Sequence, residues 1–335
     1  MSSGYAPLST DNGANDMEHS ALNTASNLMA NAATLPQVET RRITFQNAGA
    51  TLAGTLYLPE GHDGSPLPVV VVTGAWTTVE EQMPTVYAEE MVKRGFAAFT
   101  FDFRGWGKSG DLPQNVRFVE SPSAKTSDIR AAFDTVAALP EIDATRINGL
   151  GICASAGYMV DAVSGNAQVA RIGLVAPWLQ NAEIVQSVYG GAEGVQSLIE
   201  MSRAAEAKGG EIIPAAGPEG ARGVLMPIGG YYDDEDRGAI PAYDNKWSNA
   251  GWEGWLTYYP ADHAAALTQP LAIVHSESAA IPEGTHHFLA GISGQASLRM
   301  LDHVAQFDFY DVPANVTRAA DTMAEHFAAA PEGNA

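Results

Sequence analysis

The sequence predicts an α/β protein in which helices cover both faces of a mostly parallel sheet and a lid insertion interrupts the second half. Between residues 67 and 176, apolar runs alternate with helical segments, a pattern typical of parallel strands buried on both faces. The alternation stops at about 178 and resumes after 263. Of the 335 residues, 46% are hydrophobic and 17% are charged, which is enough apolar surface for a large core.

Four segments follow from this pattern. Residues 1–35 are rich in Ser, Asn and Ala, and we expect a tail or an arm that packs on another copy of the chain to form a homo-oligomer. Residues 36–177 form the first part of the α/β core. Residues 178–263 form the lid or cap, and residues 264–335 form the second part of the core.

The elements of the core can be assigned in order. Apolar and polar residues alternate in 38–45 and 51–58 on either side of Asn47-Ala48-Gly49-Ala50, which predicts a β-hairpin. Further strands are predicted at 67–73, 96–101, 147–150, 172–176, 271–275 and 297–301. Helices are predicted at 85–94, 127–139, 154–164, 284–292 and 315–329, with another at 195–208 in the lid.

Charge and composition exclude several classes of function. Acidic residues outnumber basic ones 39 to 18, giving a net charge of −21, and such a field repels nucleic acid and anionic membrane surfaces. Spanning helices need about 18 consecutive apolar residues, and none is found. The first thirty residues contain no Lys or Arg, so a signal peptide is not expected and a cytoplasmic protein is predicted. With one cysteine and no zinc-type histidine spacing, we expect no metal and no cofactor.

The most informative segment runs from a predicted strand through Gly151-Ile152-Cys153-Ala154-Ser155 into a predicted helix. A nucleophile on such a strained turn needs small residues on either side. Gly151 and Ser155 provide them if Cys153 is the nucleophile. If the turn is instead centred two residues later, in Cys153-Ala154-Ser155-Ala156-Gly157, the nucleophile is Ser155; this is the second register. A third interpretation is that Cys153 is a buried packing residue.

Three further stretches extend this pattern: 70–76, 101–110, and Phe307-Asp308-Phe309-Tyr310-Asp311 near the end. Together with the turn at 151–155, called the elbow below, these stretches resemble the α/β-hydrolase superfamily, specifically its dienelactone-hydrolase-like branch. The elbow and the last stretch also resemble bacterial YcjY-like and polyketide-transferase-like hydrolases. The resemblance covers about 38–329. It implies an α/β-hydrolase fold in which 70–76 forms a strand and an oxyanion loop.

The resemblance also implies a mechanism, in which a cysteine thiolate attacks an ester, lactone or thioester carbonyl. The oxyanion would be held by the backbone N–H groups of Ala154 and of Ala75 or Trp76. The helix that begins at Ala154 is expected to favour the thiolate of Cys153.

The acid and base of such a triad are altered in this sequence. The usual acid lies four residues before a proline, but that position before Pro282 is Ser278, so Glu277 is the candidate acid. The usual base lies about seven residues before Pro313, and that position is Gln306. Glutamine cannot accept a proton near neutral pH, so His303 is the candidate base. The spacing nevertheless predicts that Gln306, and not His303, points toward Cys153.

Substrate contacts are predicted from the lid and from one strand end. Tyr231, Trp252 and Trp255 either bind the substrate or form the lid's own core. His275, at the end of a strand, either contacts the substrate or lies in the core. The predicted function is an enzyme acting on an ester, lactone or thioester of a fairly apolar small molecule. The alternatives are a non-hydrolytic cyclase, isomerase, lyase or acyltransferase, and a ligand-binding pseudo-hydrolase.

Overall fold

The alternating runs of the sequence form an eight-stranded sheet in the computed structural model, which describes residues 37–206 and 210–329. Its strands are β1 (Val38–Asn47), β2 (Ala50–Pro59), β3 (Leu67–Thr73), β4 (Ala97–Phe101), β5 (Ile142–Ile152), β6 (Val169–Val175), β9 (Leu271–His275) and β10 (Ala296–Met300). The order across the sheet is β1-β2-β4-β3-β5-β6-β9-β10. The pairs β1–β2 and β2–β4 are antiparallel and the other pairs are parallel. The predicted mostly parallel sheet is confirmed.

The helices surround this sheet. They are α1 (Met83–Lys93), α2 (Pro122–Ala137), α3 (Ser155–Val163), α4 (Ala182–Val188), α5 (Gly191–Glu206), α6 (Trp252–Leu256), α7 (Pro282–Ala290), α8 (Asp308–Asp311) and α9 (Pro313–Ala328). Helices α1, α2, α7 and α9 begin before their predicted first residues, and each has proline in its first two positions. Proline fits there because the first N–H groups of a helix have no partner within it.

Two adjacent glycine sites show that helices cover both faces of the sheet. A Cβ atom added at Gly149 would collide with Met159 of α3, and one added at Gly173 would collide with Met323 of α9. Gly173 pairs with Leu150, the neighbour of Gly149. Because successive side chains of a strand point to opposite faces, α3 and α9 lie on opposite sides. Both glycines allow close approach of a helix to the sheet.

A buried ion pair links α2 to the loop before it. The Lys125 ammonium lies 2.7 Å from the Glu120 carboxylate, and both side chains are at most 2% exposed. The Tyr158 hydroxyl donates to the same carboxylate at 2.7 Å. The ammonium also lies 4.7 Å from the ring centre of Phe103 and 5.0 Å from that of Trp106. Burial lowers the pKa of Lys125, against the attraction of Glu120. Removing either side chain would therefore leave the other charge buried without a partner.

The segment 178–263 connects β6 to β9 and holds α4, α5, α6 and two short antiparallel strands, β7 (Ile212–Pro214) and β8 (Lys246–Ser248). Its role as a lid stays a prediction. The helix expected at 195–208 corresponds to α5, which begins at Gly191. The expected tail or arm at 1–35 lies outside the described residues. Within the described part of the chain, no helix is both long and apolar enough to cross a membrane.

Candidate active site

Cys153 occupies the tip of the turn between β5 and α3. Its φ of +56° is in the left-handed region, which is rare for a residue other than glycine and often marks a functional position. The turn is held by Cys153 N–H, which donates to the Val175 carbonyl at 3.1 Å, and by the Cys153 carbonyl, which accepts from Trp178 N–H at 2.9 Å. A Cβ atom at Gly151 would lie 2.8 Å from the Ser155 carbonyl oxygen. Glycine is therefore needed two residues before the cysteine.

Ser155, the alternative nucleophile, is placed differently. Its side chain is fully buried, and its hydroxyl donates to the carbonyl oxygen of Gly74. It is the first residue of α3 and has no place among the residues that line the cavity beside Cys153. This geometry favours the first register of the elbow.

The sulfur of Cys153 is surrounded by hydrogen-bond donors. The backbone N–H groups of Ala154 and Trp76 and the hydroxyl of Tyr310 make hydrogen-bonding contacts with it, and the side chain of Gln306 lies beside them. The N–H of Ala75 instead faces the Met83 sulfur at 3.5 Å. Of the two N–H groups expected from the loop after β3, the structure therefore brings Trp76 and not Ala75 to the cysteine.

Burial acts against the expected stabilisation of the thiolate. Cys153 is 6% exposed, and burial raises the pKa of its thiol despite the three donors around it. Burial acts in this direction because a charged sulfur loses the solvation that it would have in water. At neutral pH the cysteine is therefore a thiol.

We expect Cys153 to react with iodoacetamide more slowly in the native protein at pH 7 than in the protein unfolded in urea. The raised pKa leaves less thiolate at this pH, so the native rate should increase as the pH rises above the usual thiol range. Because the chain has one cysteine, the mass increase measures this site alone. A native rate at pH 7 equal to or above the unfolded rate would contradict the buried thiol.

Gln306 lies beside the cysteine, held by three contacts besides the sulfur. Its Oε1 accepts from the backbone N–H of Ala280 at 3.1 Å. Its Nε2 donates to the Ala176 carbonyl at 2.9 Å and to the Tyr310 hydroxyl at 3.2 Å. Both ends of the amide thus have partners that fix its orientation.

The candidate acid and base are not at this site. The Glu277 side chain is 66% exposed and lies 2.8 Å from the imidazole of His286. His303 is exposed, with φ +57°, and neither residue lines the cavity. The loop after β9 turns Glu277 to solvent and presents the Ala280 N–H inward instead. In the loop after β10, it is Gln306 and not His303 that faces the cysteine.

Sequence reasoning missed Tyr310, although the stretch that contains it was noted. Tyr310 is 1% exposed, lies on α8, and contacts both Cys153 and Gln306. Tyr232, 3% exposed, contacts Tyr310 in turn. Helix α8 has only four residues, too few for a periodic signal. The sequence signal was its place in the stretch 307–311, four residues after Gln306.

A cavity of about 430 Å³ opens beside the sulfur. Its walls are mostly aromatic or aliphatic and include Trp76, Trp178, Trp252 and Trp255. Trp76 stacks on Trp255 with ring centres 4.9 Å apart. A larger cavity of about 700 Å³ has none of these residues and is lined from the opposite ends of β3, β5 and β6. The smaller cavity is therefore the one that Cys153 lines.

Two of the predicted substrate contacts lie elsewhere, whereas Trp252 and Trp255 line the cavity. Tyr231 is 2% exposed and packs behind it, against Tyr232 and Tyr310 at 5.1 Å between ring centres. His275 is fully buried and does not line the cavity. Burial lowers the pKa of His275 to about 4, so it is a neutral core residue.

One group of acidic residues in the described part of the chain has ligand atoms close enough for a cation. The carboxylate oxygens of Glu80, Glu81 and Asp102 lie within 4.8 Å of one another. Arg42 donates to Glu80 at 2.5 Å, and Lys108 pairs with Glu81. Asp102 accepts from two backbone N–H groups. These contacts account for the group as a structural network around the turn after β4.

Comparisons with known proteins identify the family of this chain. The family model for FrsA-like esterases matches residues 2–174. The chain is 40% identical over 137 residues to the uncharacterized protein PA2218 of Pseudomonas aeruginosa, covering 41% of this chain and 36% of that protein. It is 31% identical over 138 residues to the uncharacterized protein YcjY of Escherichia coli K12, covering 40% and 44%. The chain thus spans less than half the length of these curated relatives.

Solved structures extend the similarity over most of the chain. The crystal structure of PA2218 matches with a TM-score of 0.74 and 26% identity, covering 86% of this chain and 94% of that one. The α/β hydrolase GrgF from Penicillium sp. sh18 matches with a TM-score of 0.69 and 18% identity, covering 87% and 100%. The predicted resemblance to α/β hydrolases is confirmed. The chain belongs to the FrsA-like esterase family and has the α/β-hydrolase fold.

Proposed function

We propose that this protein transfers acyl groups through Cys153, acting on an ester, lactone or thioester of a fairly apolar small molecule. The sulfur attacks the carbonyl carbon, the leaving alcohol or thiol departs, and the acyl group remains on Cys153 as a thioester. A second nucleophile then takes the acyl group and regenerates the thiol.

The observation that carries this proposal is the convergence of two backbone N–H groups, from Ala154 and Trp76, on the sulfur at the elbow. Donors in this position can hold the negative oxygen that develops when the carbonyl is attacked. They are fixed by the fold, because Ala154 begins the turn into α3 and Trp76 is stacked against Trp255. Trp76 is therefore the proposed partner of Ala154 in the oxyanion hole.

The cavity supports an apolar substrate. Aromatic walls favour flat or branched apolar groups through buried contact area. The described residues that line the cavity include no carboxylate and no imidazole, and their titratable groups are Cys153, Tyr189, Tyr232 and Tyr310. A strongly charged group next to the reacting carbonyl of a substrate would therefore not be stabilised by an opposite charge from these residues.

A second candidate function is supported by Gln306. A glutamine beside the nucleophile cannot activate water as a base, and the apolar walls disfavour water next to the thioester. Transfer to an alcohol, amine or carbon nucleophile carried by a second substrate, or by the acyl group itself, would avoid this limit. Cyclisation or acyl transfer is then the productive reaction, and hydrolysis is a slow side reaction.

Acyl-enzyme trapping tests the proposal. The wild type, incubated with the p-nitrophenyl ester of phenylacetic acid, should gain one phenylacetyl group and release about one p-nitrophenol per chain before a slow steady state. Cys153→Ala should show neither the mass increase nor the burst. Ser155→Ala should retain both, although it loses the hydrogen bond to Gly74. Acylation retained in Cys153→Ala would refute the proposal, and its loss in Ser155→Ala alone would transfer the role to Ser155.

A further inference from the structure

We propose that Tyr310 is the proton-transferring catalytic residue of this site, and that Gln306 positions it. This inference rests on the proposed acylation of Cys153 and adds the group that replaces a histidine base. It concerns the hydroxyl of Tyr310, a residue that lines the cavity together with Cys153 and contacts its sulfur.

The direction of the hydrogen bonds fixes which way the Tyr310 proton points. A backbone N–H only donates, so the Gln306 atom facing Ala280 must be its oxygen. A carbonyl only accepts, so the atom facing Ala176 must be the nitrogen. The second hydrogen of that nitrogen is then available for the Tyr310 oxygen at 3.2 Å. Tyr310 therefore accepts from Gln306 and keeps its own proton for another partner.

The remaining partners of Tyr310 are the sulfur of Cys153 and the hydroxyl of Tyr232. The sulfur is the reacting atom, so Tyr310 meets the requirement that a proton-transferring group touch the chemistry. Tyr189, another phenol at the cavity, already accepts from the indole N–H of Trp255 at 2.7 Å. The contact with both sulfur and cavity distinguishes Tyr310 from it.

Tyr310 is also held rigidly. The Tyr87 hydroxyl donates to the carbonyl of Phe309 at 2.8 Å. On the other side, the Arg237 guanidinium donates to the Asp311 carboxylate at 2.5 Å and to the Phe307 carbonyl at 3.0 Å. Both neighbours of Tyr310 in the chain are thus anchored. A fixed phenol serves proton transfer better than a mobile one, because its alignment costs no ordering in the transition state.

The step balances without a separate base. The S–C bond forms between Cys153 and the carbonyl carbon, and the bond from that carbon to the departing oxygen or sulfur breaks. The hydroxyl proton of Tyr310 moves to the departing atom, and the phenol oxygen takes the thiol proton in the same step. An ester and a thiol become a thioester and an alcohol, and Tyr310 ends as a neutral phenol. The Gln306 N–H stabilises the partial negative charge on the phenol oxygen during the transfer.

The test compares two esters with the same acyl group and different leaving groups. Acylation of Cys153 is followed by intact mass in single turnovers with ethyl phenylacetate and with p-nitrophenyl phenylacetate. An ethoxide needs a proton to depart, whereas p-nitrophenolate does not. Tyr310→Phe should slow acylation by the ethyl ester by about 10²- to 10⁴-fold. Its effect on the p-nitrophenyl ester should be at least about tenfold smaller.

Tyr243→Phe is the matched control. It also removes a buried phenol hydroxyl, bonded to Thr77 at 3.1 Å, but Tyr243 does not line the cavity. Any loss in this variant should be equal for the two esters. If Tyr310→Phe fails to fold, 3,5-difluorotyrosine at position 310 retains the shape with a more acidic phenol. It should then change the ethyl ester rate more than the p-nitrophenyl ester rate.

The outcomes separate the two proposals. Equal losses for both esters in Tyr310→Phe, or equal rate changes with difluorotyrosine, would overturn the role of Tyr310 while leaving Cys153 as the nucleophile. If neither ester acylates the wild type, the proposed function fails and the proton transfer fails with it. A selective loss with the ethyl ester supports both.

Discussion

Gln306→His should raise the steady-state hydrolysis of short p-nitrophenyl esters by about 10²-fold or more, from a slow wild-type rate. A well-placed general base contributes about 10²- to 10⁴-fold, and the wild type has an amide at this place. We expect slow wild-type turnover because the described residues that line the cavity include no imidazole and no carboxylate to activate the water that would clear the thioester on Cys153.

The surroundings of Gln306 favour this gain. The Ala176 carbonyl, which accepts from the Gln306 amide at 2.9 Å, can accept one imidazole N–H of the new histidine. The other ring nitrogen is then free to take a proton from the thiol or from water. The described residues that line the cavity include no carboxylate to support this imidazole, so the gain should stay below that of a complete triad.

Matched variants identify the source of the gain. Gln306→Asn removes the same contacts without adding a base and should not increase turnover. His303→Ala should have little effect in the wild type and in Gln306→His, because His303 is exposed. Fast wild-type turnover that His303→Ala abolishes would contradict the arrangement of this site. A well-folded Gln306→His with unchanged turnover would show that the missing base is not what limits hydrolysis.

Lys125→Ala should destabilise the protein by about 3–5 kcal/mol, since it leaves the Glu120 carboxylate buried without its cation. Glu120 would retain the Tyr158 hydroxyl at 2.7 Å, but one neutral donor does not replace a charge. The ammonium's contacts with the Phe103 and Trp106 rings are lost as well. The measurement is the free energy of unfolding in urea, followed by circular dichroism.

Two variants serve as controls for this prediction. Arg203→Ala breaks an exposed pair with Glu253, in which the arginine side chain is 60% exposed, and should leave the urea midpoint almost unchanged. The double variant Glu120→Gln, Lys125→Met removes both charges and should cost less than Lys125→Ala. An unchanged midpoint in Lys125→Ala would mean that Glu120 is neutral or reached by water.

The sequence predicted the sheet well because burial on both faces leaves a simple pattern of apolar runs. It also located the elbow and Gln306, since both are set by short spacings to neighbouring elements. Helix starts were less accurate where proline occupies the first turn, as at Pro122, because the first turn does not have to continue the apolar periodicity by which the rest of the helix is predicted. The β7–β8 pair was missed because three-residue strands have no usable periodicity.

The rest of the site depends on directions that the sequence does not encode locally. Glu277 and Ala280 lie in one loop, yet the carboxylate turns outward and the N–H turns inward. Whether Ala75 or Trp76 presents its N–H to the sulfur depends on the path of the backbone after β3. Burial is the main influence on the pKa of Cys153, and it depends on residues such as Tyr310, which lies more than a hundred positions away in the chain.

The groups around the sulfur come from distant parts of the chain, which has a consequence for folding. The link from Gln306 to Ala176 joins positions 130 apart, and the one from Tyr87 to Phe309 joins positions 222 apart. Contacts of this range require the closure of long loops and form slowly compared with local structure. An intermediate with β3, β5 and β6 paired but α8 undocked would already hold the elbow, with its thiol still uncovered. We therefore expect protection of the single cysteine to be a late event in folding, with a time course that follows the docking of α8.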